Sequence, residues 1–154
     1  GIPWMLAFAL RADGWYLRQD IIWNKSNPMP ESVRDRCTKS HEYLFLLSKN
    51  QNYYFDVDAI KEPTRRKRSV WNINKKAYKD AHFAVYPPEL VIPCIKAGSE
   101  KNDIILDPFM GSGTTAMVAK SLGRHYIGCE LHEGYGKLIK NRIGELRGTL
   151  KEFL

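Results

Sequence analysis

A strand turns into a helix through a glycine-rich loop at residues 104–122, and no other stretch of this chain narrows the possible folds as much. The apolar run Ile104-Ile105-Leu106 leads into Asp107-Pro108-Phe109-Met110-Gly111-Ser112-Gly113-Thr114-Thr115. Gly111 and Gly113 allow a tight turn and a close approach of ligand to main chain, and Ser112, Thr114 and Thr115 are placed to cap a helix predicted from Thr114 to Leu122. A second apolar run, His125-Tyr126-Ile127-Gly128-Cys129, ends at Glu130, about 17 residues beyond Gly113. In doubly wound parallel sheets an acidic residue at that distance, on the tip of the next strand, accepts hydrogen bonds from ribose hydroxyls. The junction therefore predicts an α/β fold holding a ligand with a nucleoside part.

The loop chemistry separates the candidate ligands. A triphosphate loop needs a lysine followed by Ser or Thr after its last glycine, and Thr114-Thr115 stands there instead. The dinucleotide pattern G-x-G-x-x-G lacks its third glycine between Met110 and Ala116. What remains, Asp-Pro-Phe-x-Gly-Ser-Gly-Thr-Thr, resembles the S-adenosylmethionine loop of DNA amino-methyltransferases.

The resemblance covers nearly the whole chain. Asp20-Ile21-Ile22-Trp23-Asn24-Lys25, Asn27-Pro28-Met29-Pro30-Glu31-Ser32, His41 to Lys49, Tyr53-Tyr54-Phe55-Asp56 and His82 to Leu90 follow the family's order. With the cofactor loop last, the order is that of the beta group, which methylates the exocyclic amine of adenine or cytosine. The resemblance implies a Rossmann-like S-adenosylmethionine-dependent methyltransferase fold, double-stranded DNA as partner, and a prokaryotic or phage-encoded cytoplasmic enzyme of restriction-modification type. It implies a cofactor site of Asp107, Pro108, Phe109, Gly111, Ser112, Gly113 and Thr114, with Glu130 on the ribose and His82, Tyr86 and Pro87 closing over the methionine tail beside Leu90. Phe83 stands where the family often has proline. Tyr53, Tyr54 and Phe55 would line a pocket for a base rotated out of the duplex.

One family motif is missing: Asp, Asn or Ser followed by Pro-Pro and an aromatic residue. Asn27-Pro28-Met29-Pro30 and Tyr86-Pro87-Pro88-Glu89 do not reproduce it. The motif would lie N-terminal to Gly1, so the chain reads as the C-terminal part of a longer enzyme with an incomplete sheet and no catalytic residue of its own. In the family, the strand carrying this motif lies between the cofactor strand and the strand predicted here at Tyr16 to Trp23. The slot is then filled by a complementary N-terminal segment or a second copy of the chain, or the two strands close directly on each other. The alternative to a partial enzyme is a non-catalytic DNA- or cofactor-binding module derived from one.

The formal net charge is +7, and its location matters more than its size. Between Lys61 and Lys79 the basic residues Lys61, Arg65, Arg66, Lys67, Arg68, Lys75, Lys76 and Lys79 meet a single acidic residue, Glu62. This stretch accounts for the whole excess. Such a block neutralises phosphates, and its Trp71 and Tyr78 are of a type that stacks on bases. Residues 57–81 are therefore expected to form a basic, DNA-contacting insertion in a single domain spanning 1–154, with Arg65, Arg66, Lys67, Arg68, Lys75 and Lys76 as the contacts.

Other chemistries find little support. With 44% hydrophobic residues in 154, the chain can bury an ordinary core without staples. Cys37, Cys94 and Cys129 lack metal-ligand spacing and read as reduced thiols. Pro93-Cys94 offers the dipeptide of a cytosine-carbon methyltransferase, but its apolar surroundings predict a core residue. His41-Glu42 has no second histidine at helical spacing, so no metal is expected. Trp4 to Leu10 is too short to span a bilayer.

Periodicity supplies the remaining elements. Pro3 to Ala12 reads as a buried helix stopped by Asp13-Gly14, and Tyr16 to Trp23 as a strand. Tyr43 to Leu47 reads as a strand that turns at Asn50-Gln51-Asn52 into a hairpin with Tyr53-Tyr54-Phe55. Pro88 opens a helix that Pro93 is expected to kink and Gly98 to end. A final helix places Tyr135, Leu138, Ile139, Arg142, Ile143 and Leu146 on one packing face.

Overall fold

The computed structural model describes residues 1–74 and 85–144. The elements run α1 (Ile2–Ala12), β1 (Tyr16–Asn24), β2 (His41–Ser48), a 3-10 turn (Asp58–Ile60), β3 (Val70–Asn72), α2 (Pro88–Gly98), β4 (Ile104–Asp107), α3 (Thr114–Ser121), β5 (His125–Gly128) and α4 (Gly134–Gly144). They divide into two compact units, Gly1–Tyr54 with Glu62–Lys75, and Phe55–Lys61 with Lys76–Leu154. Among the described residues no helix is long and apolar enough to cross a membrane.

The first unit is a three-stranded sheet in the order β2-β1-β3. β1 and β2 are antiparallel from Tyr16 opposite Ser48 to Asn24 opposite His41, with an irregularity between Leu17 and Gln19. The expected hairpin between Tyr43 to Leu47 and Tyr53-Tyr54-Phe55 is not formed: β2 pairs with β1 instead, and residues 53–55 carry no strand. Arg18 is the physical reason. Its guanidinium donates to the carbonyls of Asn50 at 2.8 Å and Gln51 at 2.5 Å and lies 4.7 Å from the centre of the Tyr53 ring. The turn after β2 is thereby tied to β1 and cannot fold back on its own strand.

β3 joins the other side of β1 in parallel, Trp23 opposite Trp71. Both indoles are buried and donate to carbonyls of this segment, Trp23 to Ile73 and Trp71 to Arg68, each at 2.7 Å. Across β1, the ammonium of the buried Lys25 pairs with Glu42 and lies over the Trp23 ring.

Helix α1 was expected to be buried, and it is covered on one side only. Trp4 packs edge-on against Tyr43 and Phe45 of β2, at 5.5 and 5.0 Å between ring centres, and Ala7 is buried. Ile2, Met5, Leu6 and Phe8 are exposed. A three-stranded sheet can cover only one side of a helix that is apolar on all sides.

In the second unit, parallel strands β4 and β5 are connected through α3, Ile104 opposite His125 and Asp107 opposite Gly128. Ile95 of α2 packs with Val118, Ala119 and Leu122, and Val91, Ile92, Ile105 and Met117 extend the cluster. A second cluster joins Met110 and Ala116 to Ile143 and Ile139 of α4. Burying each large aliphatic side chain contributes about 1.5–3 kcal/mol. α2 continues through the buried Pro93 to Gly98. Cys94, expected in the core, is exposed beside that proline and donates its thiol to the Leu90 carbonyl at 3.3 Å. The cause is helical phase: Pro93, Ile95 and Ala97 take the buried positions. On α4, Arg142 and Ile143 are buried as the spacing predicts; Leu146 lies outside the described residues.

The two faces of β4 differ. Ile105 and Asp107 are partly covered, while Ile104, Leu106 and, on β5, Ile127 are exposed at 61, 63 and 53%. Among the described residues β4 bonds only to β5, and β1 only to β2 and β3.

Candidate cofactor site

The loop after β4 is held by its own sequence neighbours. One Asp107 carboxylate oxygen accepts from the Phe109 N–H at 2.9 Å, bending the chain away from the strand direction. The other accepts from the Tyr86 hydroxyl at 3.1 Å, and the Thr115 hydroxyl stands 2.7 Å from the same phenol oxygen. Tyr86 has one proton to give, so Thr115 is the donor in that second contact. Burial pushes the Tyr86 phenol above its ordinary value, and the Asp107 charge adds to the push. Tyr86 is accordingly a neutral donor throughout the physiological range.

Backbone contacts complete the loop. The N–H of Met110 donates to the Cys129 carbonyl, and that of Cys129 to the Asp107 carbonyl, so the loop lies along the end of β5. Gly111 and Gly113 adopt φ of +52° and +83°, which residues with a Cβ rarely take up. At Gly113 a Cβ would also stand 3.1 Å from Ile139 Cγ1.

The Glu130 carboxylate turns toward this loop. One oxygen accepts from the Gly111 N–H at 2.8 Å and the other from the His132 N–H at 2.8 Å. Each carboxylate oxygen has a second acceptor site, so the group is oriented by main chain yet still able to take hydroxyl donors. Phe109 and Leu131, on either side, are 86 and 99% exposed.

The expected capping of α3 by Ser112, Thr114 or Thr115 does not occur. Gly113 is the N-cap residue, and among the described residues no side chain caps the first turn. Thr115 is turned to Tyr86, while the Ser112 and Thr114 hydroxyls accept from Arg142 Nη1 at 2.7 and 3.0 Å. The first-turn N–H groups have no acceptor within their own helix, and a helix start of this kind suits a ligand's anionic or polar groups.

The structure thus brings together Asp107, Pro108, Phe109, Gly111, Ser112, Gly113, Thr114, Glu130 and Tyr86, with Pro87 as the N-cap of α2. His82 lies outside the described residues. Tyr53, Tyr54 and Phe55 are 43, 46 and 38% exposed on a segment without strand structure. Arg142 was legible only as a packing residue of the last helix, because nothing local shows that its guanidinium reaches back to residue 112.

In the first unit, Arg65, Lys67 and Arg68 line a cavity of about 740 Å³ together with Gln19, Ser69, Trp71 and Asn72. Arg65 is bound at 2.7 Å to Glu62, whose carboxyl that hydrogen bond holds below the usual range. Arg66 is exposed outside this lining; Lys75, Lys76 and Tyr78 lie outside the described residues. Trp71, expected to be able to stack on bases, is 6% exposed and anchors the segment instead. Its N–H donates to Arg68 and the Lys67 ammonium lies over its ring, 5.0 Å from the centre.

Comparison with known proteins agrees with this architecture. The family model N6_N4_Mtase, described as "DNA methylase", matches residues 3–141. The type II methyltransferase M.SmaI of Serratia marcescens is 55% identical over 150 residues, 93% of this chain and 51% of that protein. M.XycI of Xanthomonas campestris pv. cyanopsidis is 52% identical over 148 residues, 93% of this chain and 49% of that protein. The crystal structure of an M1.HpyAVI-SAM complex superposes with a TM-score of 0.69 at 32% identity, covering 90% of this chain and 68% of that one. The chain spans about half the length of the curated relatives it matches. Its loop, its element order and these likenesses together show that the chain belongs to the N6/N4 DNA methylase family.

Proposed function

We propose that the chain is the S-adenosylmethionine-binding and DNA-contacting portion of a site-specific methyltransferase that acts on the exocyclic amine of adenine or cytosine, in a bacterial or phage-encoded cytoplasmic enzyme. The observation that carries this reading is the Glu130 carboxylate fixed against the Gly111 N–H at the mouth of the loop. When bound, S-adenosylmethionine supplies an electrophilic sulfonium methyl group. Glu130 takes the ribose hydroxyls on its remaining acceptor sites. Asp107 braces the loop with Tyr86, while the main chain of Phe109 to Gly113 and the uncapped start of α3 face the methionine part, and Pro87 and His82 border it.

DNA is held by Arg65, Arg66, Lys67, Arg68, Lys75 and Lys76, in the insertion at 57–81, through phosphate neutralisation. Tyr53, Tyr54 and Phe55 border the pocket for an extruded base. Transfer requires a complementary N-terminal segment bearing the Asp/Asn/Ser-Pro-Pro-aromatic motif. The exposed side chains of Ile104, Leu106 and Ile127 and the side of β4 that bonds no strand among the described residues support this requirement, because an apolar sheet face and an open strand edge are states that folds cover.

Two measurements test the proposal. Calorimetric titration of S-adenosylmethionine into the chain is expected to show 1:1 binding, and absence of binding refutes the reading. Transfer of labelled methyl to duplex DNA is expected only when the N-terminal half of a close relative is added. Cofactor binding with no transfer in either case points to a non-catalytic module instead.

A further inference from the structure

We propose that Arg142 is a positioning residue for the cofactor loop, holding two hydroxyls behind the loop so that the start of α3 stays open to the ligand. This rests on the cofactor reading above and goes beyond it, since it concerns what holds the loop rather than what meets the ligand. Its side chain lies in the last turn of α4 and is 9% exposed. Nη1 donates to Ser112 Oγ at 2.7 Å and Thr114 Oγ1 at 3.0 Å, with the Ser112 carbonyl at 3.4 Å.

Ser112 and Thr114 flank the N-cap residue Gly113, and both hydroxyls belong to types that ordinarily bond the first-turn N–H groups of a helix. Here neither does. A self-capped helix start has fewer donors left for a bound molecule; drawing the hydroxyls backward removes that competition. A guanidinium suits the task because one nitrogen can serve two acceptors from a rigid fork. An aliphatic side chain could fill the same volume without the cost of burying a charge, so packing alone does not account for an arginine here. Ile139, in van der Waals contact range of Gly113 from the same helix, fixes the distance between α4 and the loop backbone. The Arg142 charge is also felt at Tyr86 on the other side of the loop, where it favours the ionised phenol and opposes the larger effect of burial.

The test compares S-adenosylmethionine affinity, by calorimetry, with thermal stability in the same samples of the 154-residue chain. Arg142→Met is expected to weaken binding about tenfold or more, and Arg142→Lys, which keeps the charge and a donor, to recover part of the loss. The pair Ser112→Ala with Thr114→Val removes both acceptors and leaves the arginine; it is expected to weaken binding less than Arg142→Met, since the hydroxyls are removed rather than released to cap the helix. If Arg142→Met does not fold, Arg142→Lys takes its place in the comparison: affinity of Arg142→Lys equal to wild type, or a greater loss in the double variant than in Arg142→Lys, overturns the inference. Ile95→Ala, in the α2–α3 core away from the loop, serves as the stability control and should lower the melting temperature with affinity within about twofold of wild type. The inference is overturned if Arg142→Met leaves affinity within twofold of wild type, if Arg142→Lys is no better than Arg142→Met, or if Ile95→Ala loses affinity in proportion to its lost stability. Failure of the wild-type chain to bind overturns the cofactor reading, and this inference with it.

Discussion

The cofactor loop and the basic segment are built in opposite ways. Residues 107–113 are held by main-chain hydrogen bonds, two glycines at positive φ and a carboxylate aimed at a backbone N–H. Residues 62–72 present cations, exposed except for the half-buried Lys67, on a segment that leads into β3 and is pinned by the buried Trp71, with Arg65 partly neutralised by Glu62. On the proposed reading, the first region depends on where the backbone is and the second on how much charge is present. The first is therefore expected to respond to single substitutions and weakly to salt, and the second to show the reverse.

The largest expected effect falls on the loop. Gly113→Val places a branched side chain at φ +83° and against Ile139, and is expected to cost about 3 kcal/mol or more of stability and to abolish cofactor binding, as followed by chemical denaturation and calorimetry. A variant that folds and binds normally would break the contrast at its strongest point. Glu130→Ala removes acceptors from two backbone N–H groups and, on the proposed reading, from the ribose, and is expected to weaken S-adenosylmethionine binding by about 1.5–3 kcal/mol, while Glu130→Gln retains part of it. If salt between 50 and 300 mM changes wild-type cofactor affinity as strongly as it changes DNA affinity, the distinction between geometry and charge fails.

On the basic segment, Lys67→Ala and Arg68→Ala are each expected to reduce the slope of log affinity for duplex DNA against log salt by about one. Arg65→Ala should change it less, because Glu62 already offsets that charge; equal effects at all three positions would show that the Glu62 pair opens on binding. The smallest effect concerns pH. The Tyr86 phenol is raised above its unfolded value of about 10, so above that value the folded state holds more protons than the unfolded one. Its contribution to stability is complete below pH 10 or so and is lost as pH rises through the folded pKa. Wild type should lose stability more steeply than Tyr86→Phe in alkaline melts, and parallel curves would remove Tyr86 from the network that braces Asp107.

Legibility in the sequence followed the range of the interactions. The extents of α1, β1, α2, β4 and α3 could be read from apolar spacing and from Pro and Gly punctuation, because each depends on neighbours a few residues away. The hairpin after β2 was misread, since Tyr53-Tyr54-Phe55 has the composition of a strand and Arg18, over 30 residues earlier, holds the intervening turn. The half-exposed α1, the exposed Cys94, the uncapped α3 and the buried Trp71 share a cause. Residue type indicated what each could do locally, and a distant partner settled which option was used.

What the amino-acid sequence determined by itself is the kind of chemistry. A glycine loop after an apolar strand, with an acidic residue at the next strand tip, is a local pattern with few physical uses, and local patterns survive in one dimension. Only the tertiary structure decided how that loop is held: Glu130 meeting Gly111 across 19 residues, Tyr86 meeting Asp107 across 21 and Arg142 meeting Ser112 across 30. Such contacts depend on which helix face and strand edge are brought against each other, and packing of the whole unit sets that, not the spacing of any one segment.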